Sequence, residues 1–344
     1  MVVKAVIMAV GKGERFWPLS RDRFPKQLLS LTWKKSLLRE TVERIQPLIP
    51  PRDILVVTRR PLASAVERQL PQVPRKNIIS EPVGRNTGPC IGLATKMIKD
   101  DAIMVVLPAD HIIKPRGKFL DTLKRAITLA RETENLITIG IKPTYPATGY
   151  GYIEAGRSEK RQVFRVKRFV EKPDKKKAER FLKTGRFFWN SGMFVWKKSV
   201  ILEAIGKYMP SLYQRLQMIS SKNINRLYPK LSKISIDYGI MEKANNSLVI
   251  PADFFWEDLG SWESLDKFLL RDRKKNAITG RVSVMDTGNC IMVNKKGLLS
   301  TIGVSNLIIV STDDVTLVFP KGKGQQVKKL VEKLKRDPKL KKYM

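Results

Sequence analysis

One histidine, His111, and two cysteines, Cys90 and Cys290, stand among 344 residues. A lone imidazole removes Ser/His and Cys/His nucleophiles and His-ligated metal centres unless His111 serves them. Two distant thiols are too few for a disulfide framework or a zinc cluster, and they suit a reducing compartment. No run approaches the roughly 18 uninterrupted apolar residues of a spanning helix. The apolar start Val2 to Val10 passes into GKGER without a small-residue cleavage site. The expectation is a soluble, cytoplasmic protein. Acidic side chains are also scarce, 32 Asp+Glu against 66 Lys+Arg, for a formal net charge of +34.

What remains for chemistry is carboxylates, lysines, arginines and backbone amides, the groups that handle phosphates and hard cations. With 42% hydrophobic residues, 21 Gly and 20 Pro, the composition is globular. The length is about twice a common domain of roughly 150 residues, so two domains are expected. Charge alone admits nucleic acid, an anionic membrane surface or polyphosphate substrates. The basic pairs, among them Lys34-Lys35, Lys197-Lys198 and Lys341-Lys342, are scattered rather than gathered in one arm. They read as a solvated basic surface, with no nucleic-acid motif and no membrane partner.

The first third alternates β-branched apolar runs (Val2 to Ala9, Ile54 to Thr58, Asn77 to Ser80, Ala102 to Asp110, Leu136 to Ile141) with amphipathic stretches. Strands as uniformly apolar as Ile103 to Leu107 need cover on both faces, which predicts an α/β fold with a mostly parallel central sheet. From Gly149 the rhythm predicts antiparallel strands added to that sheet, then helices around 198–205, 212–219 and 238–244. A boundary is expected near Asp272 to Asn276, giving domains 1–275 and 276–344. The second is short β-rich pieces between turns, closed by an amphipathic helix with Val327, Leu330, Val331 and Leu334 on its apolar face.

The first strand empties into a loop holding Gly11 and Gly13 with Lys12, Arg15, Arg21, Arg23 and Lys26. Glycines let backbone N–H groups approach phosphates, and the cations compensate their charge. As a bare GxG turn it is a weak signal, more often an ordinary turn. Asp110 in LPADH and Asp258 in WEDLGSW stand at comparable strand ends and form a sensible Mg²⁺ pair, or each caps a following element. Glu171 and Lys172 end another strand before Pro173. Gly84, Arg85, Asn86 and Thr87 precede a predicted helix, where exposed amides read a base edge or bind an anion, or make a polar turn with an N-cap. His111 is read as a hydrogen-bonded loop residue, and Trp189, Trp196, Trp256 and Trp262 as core.

In order, GKGERFWPLS, FPKQ, EPVGRNTGP, LPADH, TGYGYI, FVEKP, WNSGMF, SIDYGIMEK and WEDLGSW make the chain resemble the mannose-1-phosphate guanylyltransferase family, and the tail resembles its β-helical segment. The resemblance implies a Rossmann-like nucleotide-diphospho-sugar transferase domain with a small all-β, left-handed β-helix-like domain behind it. It implies the Mg²⁺-dependent reaction of GTP with α-mannose 1-phosphate to GDP-mannose and pyrophosphate. Gly11, Gly13, Arg15 and Lys26 would hold the GTP phosphates, and Gly84, Arg85, Asn86 and Thr87 would lie near the guanine. Gly149, Tyr150, Glu171, Lys172 and Asn190 would line the sugar-phosphate pocket, with Arg15, Lys26 and Lys172 offsetting charge in the transfer. Asp110 and Asp258 would ligate Mg²⁺.

One position departs from the family, whose loop opens with two adjacent glycines where this chain has Val10 before Gly11. A Cβ and a bar to positive φ there predict that Val10→Gly tightens GTP binding. The rival readings are the same transfer with another nucleotide or sugar phosphate, and a non-catalytic regulatory relative. After residue 275 too few residues remain for the isomerase domain of longer relatives. The sequence allows a homodimer.

Overall fold

The computed structural model describes residues 1–31, 35–160 and 162–344; Lys34 of the first basic pair lies outside them. They pack as two compact units, one of Met1–Val10 and Thr41–Trp256, the other of Gly11–Glu40 and Glu257–Met344.

The strands that begin in the first unit are, in chain order, β1 (Val3–Ala9), β2 (Ile54–Arg59), β3 (Ile78–Glu81), β4 (Ile103–Pro108), β5 (Ile112–Lys114), β6 (Leu136–Ile141), β7 (Tyr152–Lys160), β8 (Val163–Val170), β9 (Phe187–Lys197), β10 (Ser247–Pro251) and β11 (Phe255–Glu257). Nine of them form one sheet in the order β3-β2-β1-β4-β9-β6-β10-β8-β7, while β5 and β11 pair separately. In that sheet β8 and β9 run against the other seven, so the mostly parallel sheet is observed.

Strand β9 is one of the antiparallel strands expected to join the sheet. It lies between β4 and β6, with Val195 opposite both Val105 and Ile137. Its residues explain this: Trp189, Met193, Phe194, Val195 and Trp196 are all buried, so both faces need cover, which favours an interior place in a helix-covered sheet. On one side the helices Thr87–Met97, Lys198–Tyr208 and Pro210–Met218 bring Cys90, Ile91, Leu93, Ile201, Ile205 and Leu216 into a cluster with Val6, Val57 and Val106. The helix Arg116–Glu132 buries Phe119, Leu123, Ala126 and Ala130.

The helix expected over 238–244 is instead a π-type turn, Asp237–Met241. Gly239 within it abuts Met209, whose side chain would meet any Cβ at that position. Val10 packs against the main cluster and is not among the positive-φ residues. The conformational argument against a branched residue there therefore does not hold.

In the second unit β12 (Ala277–Thr279), β14 (Ile291–Asn294) and β16 (Leu307–Ser311) stack in parallel, and β17 (Thr316–Pro320) closes the stack antiparallel. A second parallel ladder joins β13 (Val282–Met285) to β15 (Leu299–Ile302). Alternation between two ladders is a β-helix-like coil, whose corners must satisfy backbone groups without a neighbouring strand. Buried asparagines do this. Asn294 Nδ2 donates to the carbonyls of Arg281 (2.9 Å) and Gly297 (3.0 Å). Gly280 turns at φ +92°, where a Cβ would strike the Asn294 carbonyl. The closing helix is Val327–Arg336, with Val327 and Val331 buried against Leu317. No helix among the described residues is long and apolar enough to cross a membrane.

Asn276 carries the first corner: Nδ2 donates to the Thr287 carbonyl at 2.9 Å and Oδ1 accepts from the Cys290 N–H at 3.0 Å. Asn276→Ala leaves both groups without these partners. It is expected to destabilise the second unit by roughly 2–4 kcal/mol, measured by urea unfolding; a loss within ~0.5 kcal/mol would disprove the corner role.

Candidate active site

The glycine loop belongs to the second unit and is fixed at several points. Gly13 sits at φ +64°, and a Cβ there would lie 2.8 Å from the Lys26 backbone nitrogen, so no other residue fits without displacement. Its carbonyl accepts from Ser20 Oγ at 2.7 Å, and the Gly11 carbonyl accepts from Gln27 Nε2 at 3.1 Å. Nothing stands within 4 Å of the space a Cβ would take at Gly11. Open space beside the backbone there suits the close approach of an anion. Arg15 is exposed.

Lys26, expected to face a phosphate, is buried, and its ammonium donates to the carbonyls of Asp258 (2.8 Å) and Leu259 (3.1 Å). It thereby fastens the loop to the WEDLGSW turn. Leu259 holds φ +47°, and Gly260 follows, where a Cβ would come to 3.1 Å from Asp258 Oδ1. The turn therefore gives the half-buried Asp258 carboxylate room.

In the first unit the residues expected to bind the sugar phosphate do converge. Asn190 on β9 takes the Gly151 carbonyl with its backbone N–H at 2.8 Å. The Glu171 carboxylate lies hard against Gly151, where a Cβ would come to 2.5 Å from Oε2. Glu171 is nearly buried and ion-pairs with Lys172, whose own side chain is exposed. Lys172 has φ +45°, a conformation uncommon for a side-chain-bearing residue. Tyr150 is wedged edge-on between Trp189 (5.2 Å) and Trp256 (5.1 Å). Gly149 is exposed with open space around it.

The Asn190 amide is largely spent within the protein. Its Nδ2 donates to Asp237 Oδ1 at 2.8 Å, and its Oδ1 accepts from the Gly192 N–H at 3.1 Å. Asp237 was missed from the sequence, although SIDYGIMEK was recognised as a motif. Nothing in the string marks it as half-buried, and desolvation of its carboxyl, followed by the nearby Glu171 charge, pushes it up to about 6.

The turn after β3 is also tied down. Arg85 donates to the Pro229 carbonyl, Asn86 caps the helix through the Thr87 N–H at 2.9 Å, and Thr87 Oγ1 accepts from the Ile236 N–H at 2.9 Å. Gly84 alone has open surroundings, a Cβ there meeting Arg59 Cδ at 4.0 Å. This segment can therefore offer a ligand its backbone, while one group of each of these three side chains is held by its own scaffold. At the start of β3's turn, Glu81 is wholly buried, accepts from Tyr228 Oη and has its carboxyl pushed up to about 7, chiefly by burial.

Asp110 follows β4 with its side chain about a quarter exposed. His111 beside it is a structural residue, as expected: Trp256 Nε1 donates to Nδ1 at 3.0 Å, which puts the imidazole proton on Nε2. Nε2 lies 4.0 Å from Asp110 Oδ1. Among the described residues no three His, Cys, Asp or Glu side chains gather as a metal cage. Carboxylate oxygens such as those of Asp110 and Asp258 suit hard divalent ions that keep waters, and a zinc site would call for His or Cys ligands.

A nucleotidyl transferase family model matches residues 4–275, and a MannoseP isomerase/GMP-like beta-helix domain model matches 280–334. A mannose-1-phosphate guanylyltransferase of Klebsiella pneumoniae is 38% identical, over 96% of this chain and 74% of its own length. Mannose-1-phosphate guanylyltransferase 2 of Escherichia coli O157:H7 is 37% identical over 96% of this chain and 73% of its own. A solved structure described as mannose-1-phosphate geranyltransferase from Thermus thermophilus superposes with a TM-score of 0.87 and 34% identity, covering 97% of this chain and all of that one.

Asp237 gives the site a pH signature. Its carboxyl titrates near 6 when folded against 3.8 as its ordinary value, so between those values the folded state holds a proton that the unfolded state has released. Stability therefore falls as pH rises through about 4 to 6 and then levels. Asp237→Asn keeps an acceptor for Asn190 and removes the charge. Urea unfolding at pH 4, 5, 6 and 8 is expected to show the variant gaining on the parent across that window by roughly 1–3 kcal/mol. A constant difference between the two would refute the assignment.

Proposed function

The chain belongs to the mannose-1-phosphate guanylyltransferases, a family of nucleotidyl transferases, and from that premise we propose how its residues carry the family's reaction. GMP passes from GTP to α-mannose 1-phosphate, giving GDP-mannose and pyrophosphate. A phosphate oxygen of the sugar phosphate attacks the α-phosphorus in line; the new O–P bond forms as the bond to the bridging oxygen of pyrophosphate breaks. The nucleophile is already an anion, so no general base is required, in keeping with a histidine committed to Trp256.

The observation that carries the reading is the glycine loop itself: a Gly13 that admits no Cβ and an open Gly11 backbone, fastened by Lys26 to the turn bearing Asp258. We assign Gly11, Gly13 and Arg15 to the triphosphate, and to Lys26 the task of holding the Asp258 turn while adding fixed positive charge beneath it. Gly84 to Thr87 take the guanine side. Gly149, Tyr150, Glu171, Lys172 and Asn190 take the mannose 1-phosphate, with the exposed Lys172 ammonium offsetting its charge.

The family uses a divalent ion, and Asp110 and Asp258 are the residues proposed to hold it as Mg²⁺. When bound it supplies charge neutralisation between two anionic substrates. Residues 1–275 form the nucleotidyltransferase domain in this reading and 276–344 the β-helical one. The reading places the enzyme in the cytoplasm and allows a homodimer.

The test is Mg²⁺-dependent pyrophosphate release from GTP with mannose 1-phosphate, run beside ATP, UTP, dTTP and glucose 1-phosphate. Release confined to the first pair, and reduced by roughly 10² or more in Asp258→Ala, is the expected result. Release with another pair would move the specificity and keep the mechanism. Silence from the folded protein with every pair would favour the regulatory reading.

A further inference from the structure

The glycine loop carries an anomaly for a site meant to receive a triphosphate. Among its basic residues stands one acid before Asp22, Glu14, immediately after Gly13. An unpaired carboxylate there would repel the ligand. Glu14 is not unpaired: Lys335 of the closing helix Val327–Arg336 donates to its Oε1 at 2.6 Å. Partial burial opposes its ionisation, and the Lys335 ammonium, helped by Lys12 and Lys328, outweighs burial and holds the carboxyl below its usual range.

Two further fastenings join the same stretches of chain. Trp17 is buried with Leu317, Val327 and Val331, and its Nε1 donates to the Tyr343 carbonyl at 2.9 Å. Arg21 donates through one terminal guanidinium nitrogen to Asp314 Oδ1 at 2.6 Å and through the other to the same Tyr343 carbonyl. Loop positions 14, 17 and 21 are thus each held from the segment 314–343, one by an ion pair, one by packing and a hydrogen bond, one by a guanidinium shared between two acceptors. The amphipathic pattern of 325–342 accounts for the packing of Val327 and Val331. It does not account for polar groups reaching into a loop some 300 residues earlier.

We propose that Asp314, Lys335 and the Tyr343 carbonyl are positioning groups of the phosphate-binding loop, holding it in its binding shape before a nucleoside triphosphate arrives. The inference rests on the loop being the triphosphate site. Its physical basis is preorganisation: a glycine-containing loop free in solution would have to be ordered by its ligand, and every residue already fixed lowers that cost. Glu14 then serves as an anchor for the helix, and pairing keeps its charge from opposing the ligand.

The experiment uses the full chain with Lys335→Glu, Glu14→Lys, their double exchange, and Asp314→Ala. Two readouts are taken: steady-state KM for GTP and for mannose 1-phosphate, and hydrogen exchange of amides 13–24 without nucleotide. Lys335→Glu and Asp314→Ala are expected to raise KM for GTP about tenfold, leave that for mannose 1-phosphate within about twofold, and speed exchange in the loop alone. The double exchange restores both readouts. Unchanged exchange and GTP KM, or parallel loss of both KM values with Tm as in general destabilisation, would overturn the proposal. Should the parent turn over no nucleotide, the functional reading fails, and loop exchange in the variants still decides whether the segment orders the loop.

Discussion

A buried ammonium cannot remain without acceptors, and Lys26 meets that requirement with two backbone carbonyls 232 and 233 residues further along the chain. Much in the second unit follows from that contact. It obliges the loop after β1 and the turn after β11 to fold as one body, and the carbonyl pair it uses belongs to a turn with a residue at positive φ. Gly13 must then be glycine because the Lys26 backbone already occupies its Cβ position. The loop is less a flexible glycine hinge than a strut with a few open amides.

The same economy holds in the first unit, where polar groups satisfy one another before any ligand arrives. Asn190 is divided between Asp237 and Gly192, Thr87 receives the Ile236 N–H, and Arg85 donates to a carbonyl. Such networks fix side chains that a flexible site would have to order on binding, and each member left out would be costly to its partner. Two carboxylates, Glu81 and Asp237, carry the burden of that rigidity as raised pKa values. Even the exposed Lys172 ammonium is paired, with Glu171.

The central sheet was legible because its strands announce themselves: β1, β2 and β4 are apolar on both faces, which allows few places for them. The helices were legible from their spacing. Strand β9 was legible as a strand and not as a central one, because its place depends on pairing with β4 and β6, segments about 50 to 90 residues earlier, and such pairing leaves no local mark. The π-type turn at Asp237–Met241 was hidden because Gly239 fits it through contact with Met209, again a distant residue. In the site, the types and order of residues were visible in the motifs. What was invisible was direction: that Lys26 points to carbonyls, and that Asp237 is drawn in beside Asn190.

That distinction has a physical reason. A motif records which groups a site needs, and a ligand's charge restricts those groups strongly, so phosphate chemistry leaves glycines and cations close together in sequence. The scaffold that aims them is restricted only by satisfaction of polar groups and by volume, conditions that many residues meet and that act across hundreds of positions. Glu14 shows both sides. As a loop residue it contradicts the electrostatics of its neighbourhood, and it becomes intelligible once Lys335 is brought beside it. A residue that breaks the local rule of a site is therefore informative about tertiary structure, because the compensation it requires must come from elsewhere in the chain.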